Sequence, residues 1–365
     1  MCLKGGLTRR KTTWGSANGH FARTIPRVPN VADAAQHLAQ LLTGASRQLS
    51  EPGGENLEFL PQAGLRPLER LLAPSDCWAV DGGQALVADG RCLQVVVSRA
   101  ARAHWQSGQC VLEDEGDLAV HVLAGESGGQ HARESLLELG APVSPTAPVD
   151  LNLLRDWSEW SLIARCVDEA ARGATVLVDG DLQPDWRISS SWLEDLFQRA
   201  QRHQVHLIGV TKHSSLALGG APLVGHLERE AEVLFGPRAC WWVPVARQRH
   251  DVGPGLLVVV AKLDPDARFA FRVDLPGDGG LPGDGGLPGD GGPEQLLGTL
   301  SALADDAAFP GYPYPLSVAD RLASCPSWLR EELRADLDAS LRALGVPPEV
   351  SERAFADRHR LMERA

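Results

Sequence analysis

The sequence contains no apolar run of about 18 residues, so no stretch of it reads as a membrane-spanning helix. Its seven cysteines stand at 2, 77, 92, 110, 166, 240 and 325, an odd number with no CxxC pair. Several sit in apolar runs, which argues for buried, reduced thiols in a cytoplasmic protein. His203 and His206 form an HxxH, but no further Cys or His cluster completes a zinc site, so the pair reads as a helix-end and a strand residue. Acids are missing from residues 1–30, which carry Lys4, Arg9, Arg10, Lys11, Arg23 and Arg27. No apolar segment follows the Arg pair, which argues against a signal peptide and for a disordered basic arm. The chain as a whole has a net charge of −12, which argues against a protein that coats nucleic acid by bulk electrostatics. A local site where metal ions neutralise acids is compatible with that charge.

What is present is an ordinary globular composition, 44% hydrophobic and 22% charged over 365 residues, enough for a substantial core. We expect one domain over 31–365 after the arm at 1–30. The chain is organised around Cys77–Gly83, CWAVDGG. An apolar run delivers Asp81 into two glycines, which predicts a strand that ends in a turn with an acid at the sheet edge. A plain hairpin turn explains the same residues. The pattern recurs at Thr175–Leu182, TVLVDGDL, where Asp179 follows the apolar run.

In chain order, Val31–Leu49 has helical spacing. Strands follow at Cys92–Ser98, Gln109–Leu112 and Leu118–Leu123, making an antiparallel meander with the Asp81 strand. A short helix is expected at His131–Leu139. Asp150–Arg172 is the clearest helix, capped by Asp150 or Asn152. The Asp179 strand, a helix near Ser191–Arg202 and a strand at Val205–Val210 then alternate as βαβ units, which implies parallel neighbours. Later strands are expected at Trp241–Ala246, Leu256–Leu263 and Arg268–Val273. LPGDGG repeats three times over Leu275–Gly292, a low-complexity insertion. A helix resumes at Pro293–Leu303, another starts near Ser317 after the prolines of FPGYPYPLSVADR, and two more lie at 326–343 and 348–362.

Four acids are oddly placed for purely structural roles. Asp81 and Asp179 end strands that should be neighbours. Asp320 lies on the helix that starts near Ser317. Glu159 falls on the apolar arc of the long helix among Leu162, Ile163 and Cys166. A carboxylate there is costly unless paired or bound to a cation, and Arg155 one turn earlier supplies the simple pairing alternative. Converging carboxylates repel unless divalent cations lie between them. All-oxygen ligation favours Mn²⁺ or Mg²⁺. Two such ions about 3.5–4 Å apart suit phosphodiester hydrolysis. An acid on the first strand of a meander, one on the first long helix and one on the next strand is also the order of the ribonuclease-H-like fold. The expected architecture is therefore α/β, a mixed sheet of antiparallel meander plus parallel strands flanked by helices.

Five segments together resemble the NurA nucleases of DNA end resection: AVDGG around Asp81, RDWSE at Arg155–Glu159, VLVDGDL around Asp179, GVTKHSS around Lys212, and GYPYPLSVADR around Asp320. The resemblance runs over about residues 75–325, and GYPYPL is its most specific part. It implies a manganese-dependent DNA nuclease, a single-strand endonuclease and 5′→3′ exonuclease. It also implies a homodimer docked on HerA, a hexameric ATPase translocase. Asp81, Glu159, Asp179 and Asp320 would be the catalytic metal ligands, holding two Mn²⁺ or Mg²⁺ ions. Lys212, Arg155, Tyr312 and Tyr314 would meet substrate phosphates. Asp320 departs from the His often found in archaeal members. Asp181, two residues beyond Asp179, competes for its role.

Two other readings fit parts of the sequence. A catalytically weak subunit of the same fold, binding DNA and regulating an ATPase, would also carry Asp320 and the acidic charge. An actin-like sugar kinase would place Asp-Gly turns at strand ends, but no glycine-rich phosphate loop with Ser or Thr lies near Asp81.

Overall fold

A computed structural model describes residues 30–44, 46–52, 56–138, 140–248, 255–277 and 292–356. The basic arm, the LPGDGG repeats beyond Gly277 and the last residues from 357 lie outside the described residues. The chain divides after Gly44, and α1 (Val31–Thr43) belongs to the first unit. Asn30 caps α1 by accepting from the N–H groups of Ala32 and Asp33, and Asp33 completes the capping box. The helix stops at Thr43 rather than running to residue 49, and its Leu38 and Leu42 are exposed.

The second unit opens with three short strands, β1 (Leu49–Ser50), β2 (Leu57–Phe59) and β3 (Arg66–Pro67). The meander follows as β4 (Asp76–Asp89), β5 (Leu93–Gln106), β6 (Gln109–Asp114) and β7 (Ala119–Ala124). Next come α2 (Gly125–Glu138), α3 (Leu151–Glu169), β8 (Thr175–Asp179), α4 (Ser190–His203) and β9 (His206–Thr211). The chain continues through β10 (Ala217–Leu218), β11 (Ala221–Pro222), α5 (Leu223–Phe235), β12 (Trp241–Gln248), β13 (Leu256–Lys262) and β14 (Phe271–Pro276). It closes with α6 (Pro293–Ser301), α7 (Tyr314–Ala323), α8 (Ser327–Ala343) and α9 (Pro348–Ala354).

Eleven strands form one sheet in the order β2-β12-β13-β14-β9-β8-β4-β5-β6, with β3 on β12 and β7 on β5. β4, β8 and β9 are parallel, and the neighbours on both sides are antiparallel. The run β6-β5-β4-β8-β9, with α3 and α4 as the crossovers, is the ribonuclease-H-like topology expected from the sequence.

Strand periodicity sorts the two faces. Cys77 and Ala79 of β4 pack with Leu177, Ile208, Leu297, Leu316 and Ala319, so α6 and α7 cover that face. Trp78 and Val80 pack with Val176, Val178, Ile163 and Phe197, so α3 and α4 cover the other. α5 packs through Leu223, Leu227 and Ala231 on Val258 and Val260, also opposite α7. Trp157, Trp160, Trp241 and Trp242 are all core residues. No described helix is long and apolar enough to cross a membrane.

The structure differs from the sequence reading at several points. Gly82 and Gly83 form no turn. β4 runs on to Asp89, pairing Gly82 with Ala100 and Gly83 with Arg99, and neither glycine has positive φ. What these glycines permit is close approach by neighbours. α7 starts at Tyr314, ahead of Ser317, because Pro315 lies in the first turn, where a missing N–H costs nothing. β14 starts at Phe271 rather than Arg268. α5 had no counterpart in the sequence reading, although Leu223, Leu227 and Ala231 lie on one helical face. Cys77 and Cys166 are buried as expected, whereas Cys92 and Cys110 are exposed.

Candidate metal centre

Asp81 and Asp179 continue the Cys77–Ala79 and Thr175–Leu177 alternation, which turns both carboxylates toward the α7 face. α7 brings Asp320 to the same place. One carboxylate oxygen from each of Asp81, Asp179 and Asp320 lies within 4.8 Å of the other two. Lys212, one residue beyond β9, joins them. Its Nζ lies 2.5 Å from Asp179 Oδ2 and 2.6 Å from Asp320 Oδ1.

The protein environment disfavours charge on Asp81 and Asp179. Burial, then the Asp179 charge, pushes Asp81 up to about 8, with Lys212 opposing. Burial raises Asp179 as well, against the pull of its bond to Lys212. Burial lowers the Lys212 ammonium, but its bonds to Asp179 and Asp320 outweigh that and raise it overall. Tyr312 is buried beside the acids, and burial followed by the Asp179 charge raises its phenol. Its ring centroid lies 5.1 Å from Lys212 Nζ.

Glu159 is buried on α3, across the sheet from α7. It packs on Gly82, the residue after Asp81, where an added Cβ would stand 2.6 Å from Glu159 Oε2 and 3.2 Å from Arg155 Cγ. Burial, then Asp81, raises Glu159 well above the usual carboxylate range. The group of three oxygens within 4.8 Å does not include it. Arg155 Nη2 pairs with Asp156 at 2.5 Å. Tyr314 is exposed and stands edge-on to Trp105, with ring centroids 5.8 Å apart. Asp181 belongs to another network. It lies 3.9 Å from Arg272 Nη1, whose guanidinium also binds Glu51 and Asp274, and burial followed by Asp274 raises it to about 6.

The donor set suits a hard divalent cation. The close carboxylate oxygens face one another with a single ammonium among them, and no thiol or imidazole belongs to the group. Gly83, expected from the sequence to serve a turn, instead seats the end of α7 through its missing side chain.

No protein-family model and no curated protein matches the sequence. Among solved structures, the NurA nuclease from Sulfolobus solfataricus is similar at 14% identity, over 86% of this chain and 93% of that one, with a TM-score of 0.49. A NurA structure with manganese is similar at 10% identity, over 76% and 91% of the two chains, with a TM-score of 0.41. The catalytic domain of human endonuclease V is similar at 14% identity, over 77% and 92%, with a TM-score of 0.37.

Proposed function

We propose that this chain is a divalent-metal-dependent nuclease that hydrolyses DNA phosphodiesters. The single observation that carries the reading is the convergence of Asp81, Asp179 and Asp320 with Lys212 at one sheet edge. DNA as substrate rests on the motif resemblance to NurA, as do end resection, 5′→3′ polarity, dimerisation and a HerA-type hexameric ATPase as partner.

Mn²⁺ or Mg²⁺ held by Asp81, Asp179 and Asp320, with Glu159 as the further acid beside Asp81, would neutralise the carboxylates, polarise the scissile phosphate and lower the pKa of the attacking water. The chain's own groups do the rest. Lys212 turns from the acids to a non-bridging phosphate oxygen, acting as a point charge. Tyr312 keeps its proton and donates a hydrogen bond at the acid cluster. The Arg155 guanidinium, 37% exposed and held by Asp156, meets a neighbouring phosphate. Tyr314, exposed at the start of α7, lies where the strand passes.

The test is cleavage of a 5′-labelled single-stranded oligonucleotide in Mn²⁺, Mg²⁺ or EDTA by wild type, Asp81→Asn and Asp179→Asn. Cutting that needs the cation and is lost in both variants is the expected result. A well-folded wild type that never cuts, alone or with the ATPase, would sink the reading. One observation favours the weakly catalytic binding subunit instead: Lys212 already pairs with two of the three acids. Stimulation of a partner ATPase that survives in Asp81→Asn would support that second reading.

A further inference from the structure

Strand directions put a second polar feature at the same edge of the sheet. β14 runs antiparallel to β9 with Arg272 opposite Thr211, and β13 antiparallel to β14 with Ala261 opposite Phe271. Lys262, which ends β13, therefore lies at the same strand ends as Asp179 of β8, with its side chain in phase with Val258 and Val260 on the α5 face, across the sheet from the acids. Three strand spacings, roughly 14 Å, separate the two strands.

Lys262 lines an open cavity of about 360 Å³ together with Arg229, Arg268, Glu228, Glu232 and Trp241. It is 9% exposed, on a strand that is otherwise apolar. Its ammonium donates to the Pro237 carbonyl at 2.5 Å, and among the described residues it has no carboxylate partner. Three donors against one neutral acceptor leave a buried cation under-satisfied. Glu228 is already engaged by the Ala270 N–H at 2.6 Å. Three cations thus face two carboxylates, one of them occupied, in a chain whose net charge is −12.

Ala267, which lines the cavity, also packs against the loop that leads into Tyr312. Gly311 has φ 96°, and an added Cβ there would stand 2.4 Å from Ala267 Cβ, so the β13–β14 connection is pressed against the residue before Tyr312. Phe309 lies 6.0 Å from Tyr312, centroid to centroid, and is 49% exposed. Phe269, two residues beyond Ala267, is 61% exposed. Two large aromatic rings, one beside Tyr312 and one two residues beyond Ala267, are therefore exposed at this end of the sheet.

Resting on the nuclease reading above, we propose that this edge is a track for a single nucleic-acid strand. Phe309 and Phe269 stack bases, and the cavity around Lys262 holds a backbone phosphate a few nucleotides from the acid cluster. Stacking rings that lead to a cationic groove are what sequence-tolerant single-strand binding requires.

The test is fluorescence anisotropy of a labelled oligothymidylate with the full chain in EDTA, where cleavage does not enter. Phe269→Ser and Phe309→Ser should each weaken binding roughly tenfold, within what one stacked base contributes. Lys262→Met should weaken it and reduce the slope of log affinity against log salt by about 1. Arg268→Ser, on the exposed rim, repeats the salt test if Lys262→Met does not fold. Trp328→Ser, exposed on α8, is the control and should bind as wild type does. Wild-type affinity and salt slope in all the track variants would overturn the proposal, even if Mn²⁺-dependent cutting is lost in Asp81→Asn and the nuclease reading stands. Binding that depends on the track in a protein that never cuts would keep the track and remove the nuclease. Saturable binding of an acidic, apolar peptide, lost in Lys262→Met without any change in oligonucleotide binding, would assign the cavity to a protein partner and overturn the proposal.

Discussion

A Cβ on Gly83 would stand 1.7 Å from the carbonyl oxygen of Ala323. The last turn of α7 therefore rests directly on the β4 backbone, and this contact sets the height of Asp320 over Asp81. Gly83→Ala collides with backbone that no rotamer change can clear. We expect it to cost about 3 kcal/mol in urea unfolding, the upper part of the range for overpacking. Gly82→Ala meets chiefly the movable Glu159 and Arg155 side chains and should cost about 1 kcal/mol. Equal costs for the two would show that α7 is not seated this way.

Lys212 and a divalent cation compete for the same carboxylates. Lys212→Met should bind Mn²⁺ about tenfold more tightly by calorimetry, because no ammonium then has to leave Asp179 and Asp320. The same variant should cleave more slowly at saturating Mn²⁺, having lost its phosphate contact. Weaker Mn²⁺ binding in Lys212→Met would argue against the competition.

Asp81 holds its proton up to about pH 8 in the metal-free fold, against 3.8 as the ordinary value. Between these values the folded chain binds more protons than the unfolded one, so this group's contribution to stability falls as pH rises. A divalent cation competes with that proton. The rise in Tm on adding Mn²⁺ should therefore be larger at about pH 8.5 than at about pH 6. Asp81→Asn should remove most of that difference. A Mn²⁺-induced shift in wild type that does not change with pH would contradict the assignment.

Glu159 feels the charges of Asp81 and Asp179 but stands apart from the close triad. Glu159→Gln should weaken Mn²⁺ less than Asp81→Asn or Asp179→Asn does. It should also stabilise the metal-free protein, since a buried acid that Arg155 only partly offsets is replaced by a neutral amide. Equal loss of Mn²⁺ in all three variants would make Glu159 a direct ligand of the same rank.

Much of the architecture was legible in the chain because it depends on local periodicity. β-branched runs ending in Asp at 81 and 179, the apolar arc of α3 with its Asp150 cap, and the βαβ alternation after residue 150 all record burial on a period of 2.0 or 3.6. Those signals predicted the meander, the parallel strands and the acids Asp81, Glu159 and Asp179, while Asp320 was singled out by the segment GYPYPLSVADR. Contacts between segments distant in sequence leave no such period. Only the folded chain shows that Gly82 and Gly83 serve close packing within a continuous strand, and that Lys212 reaches Asp179 and Asp320. Only the folded chain, too, separates Asp181 into the Arg272 network and sets Lys262 on the same sheet edge as Asp179. Sequence alone determined which residues are acids on buried elements. Strand order, register and the approach of α7 decided which of them meet, because the strength of an interaction between charges depends on distance and burial.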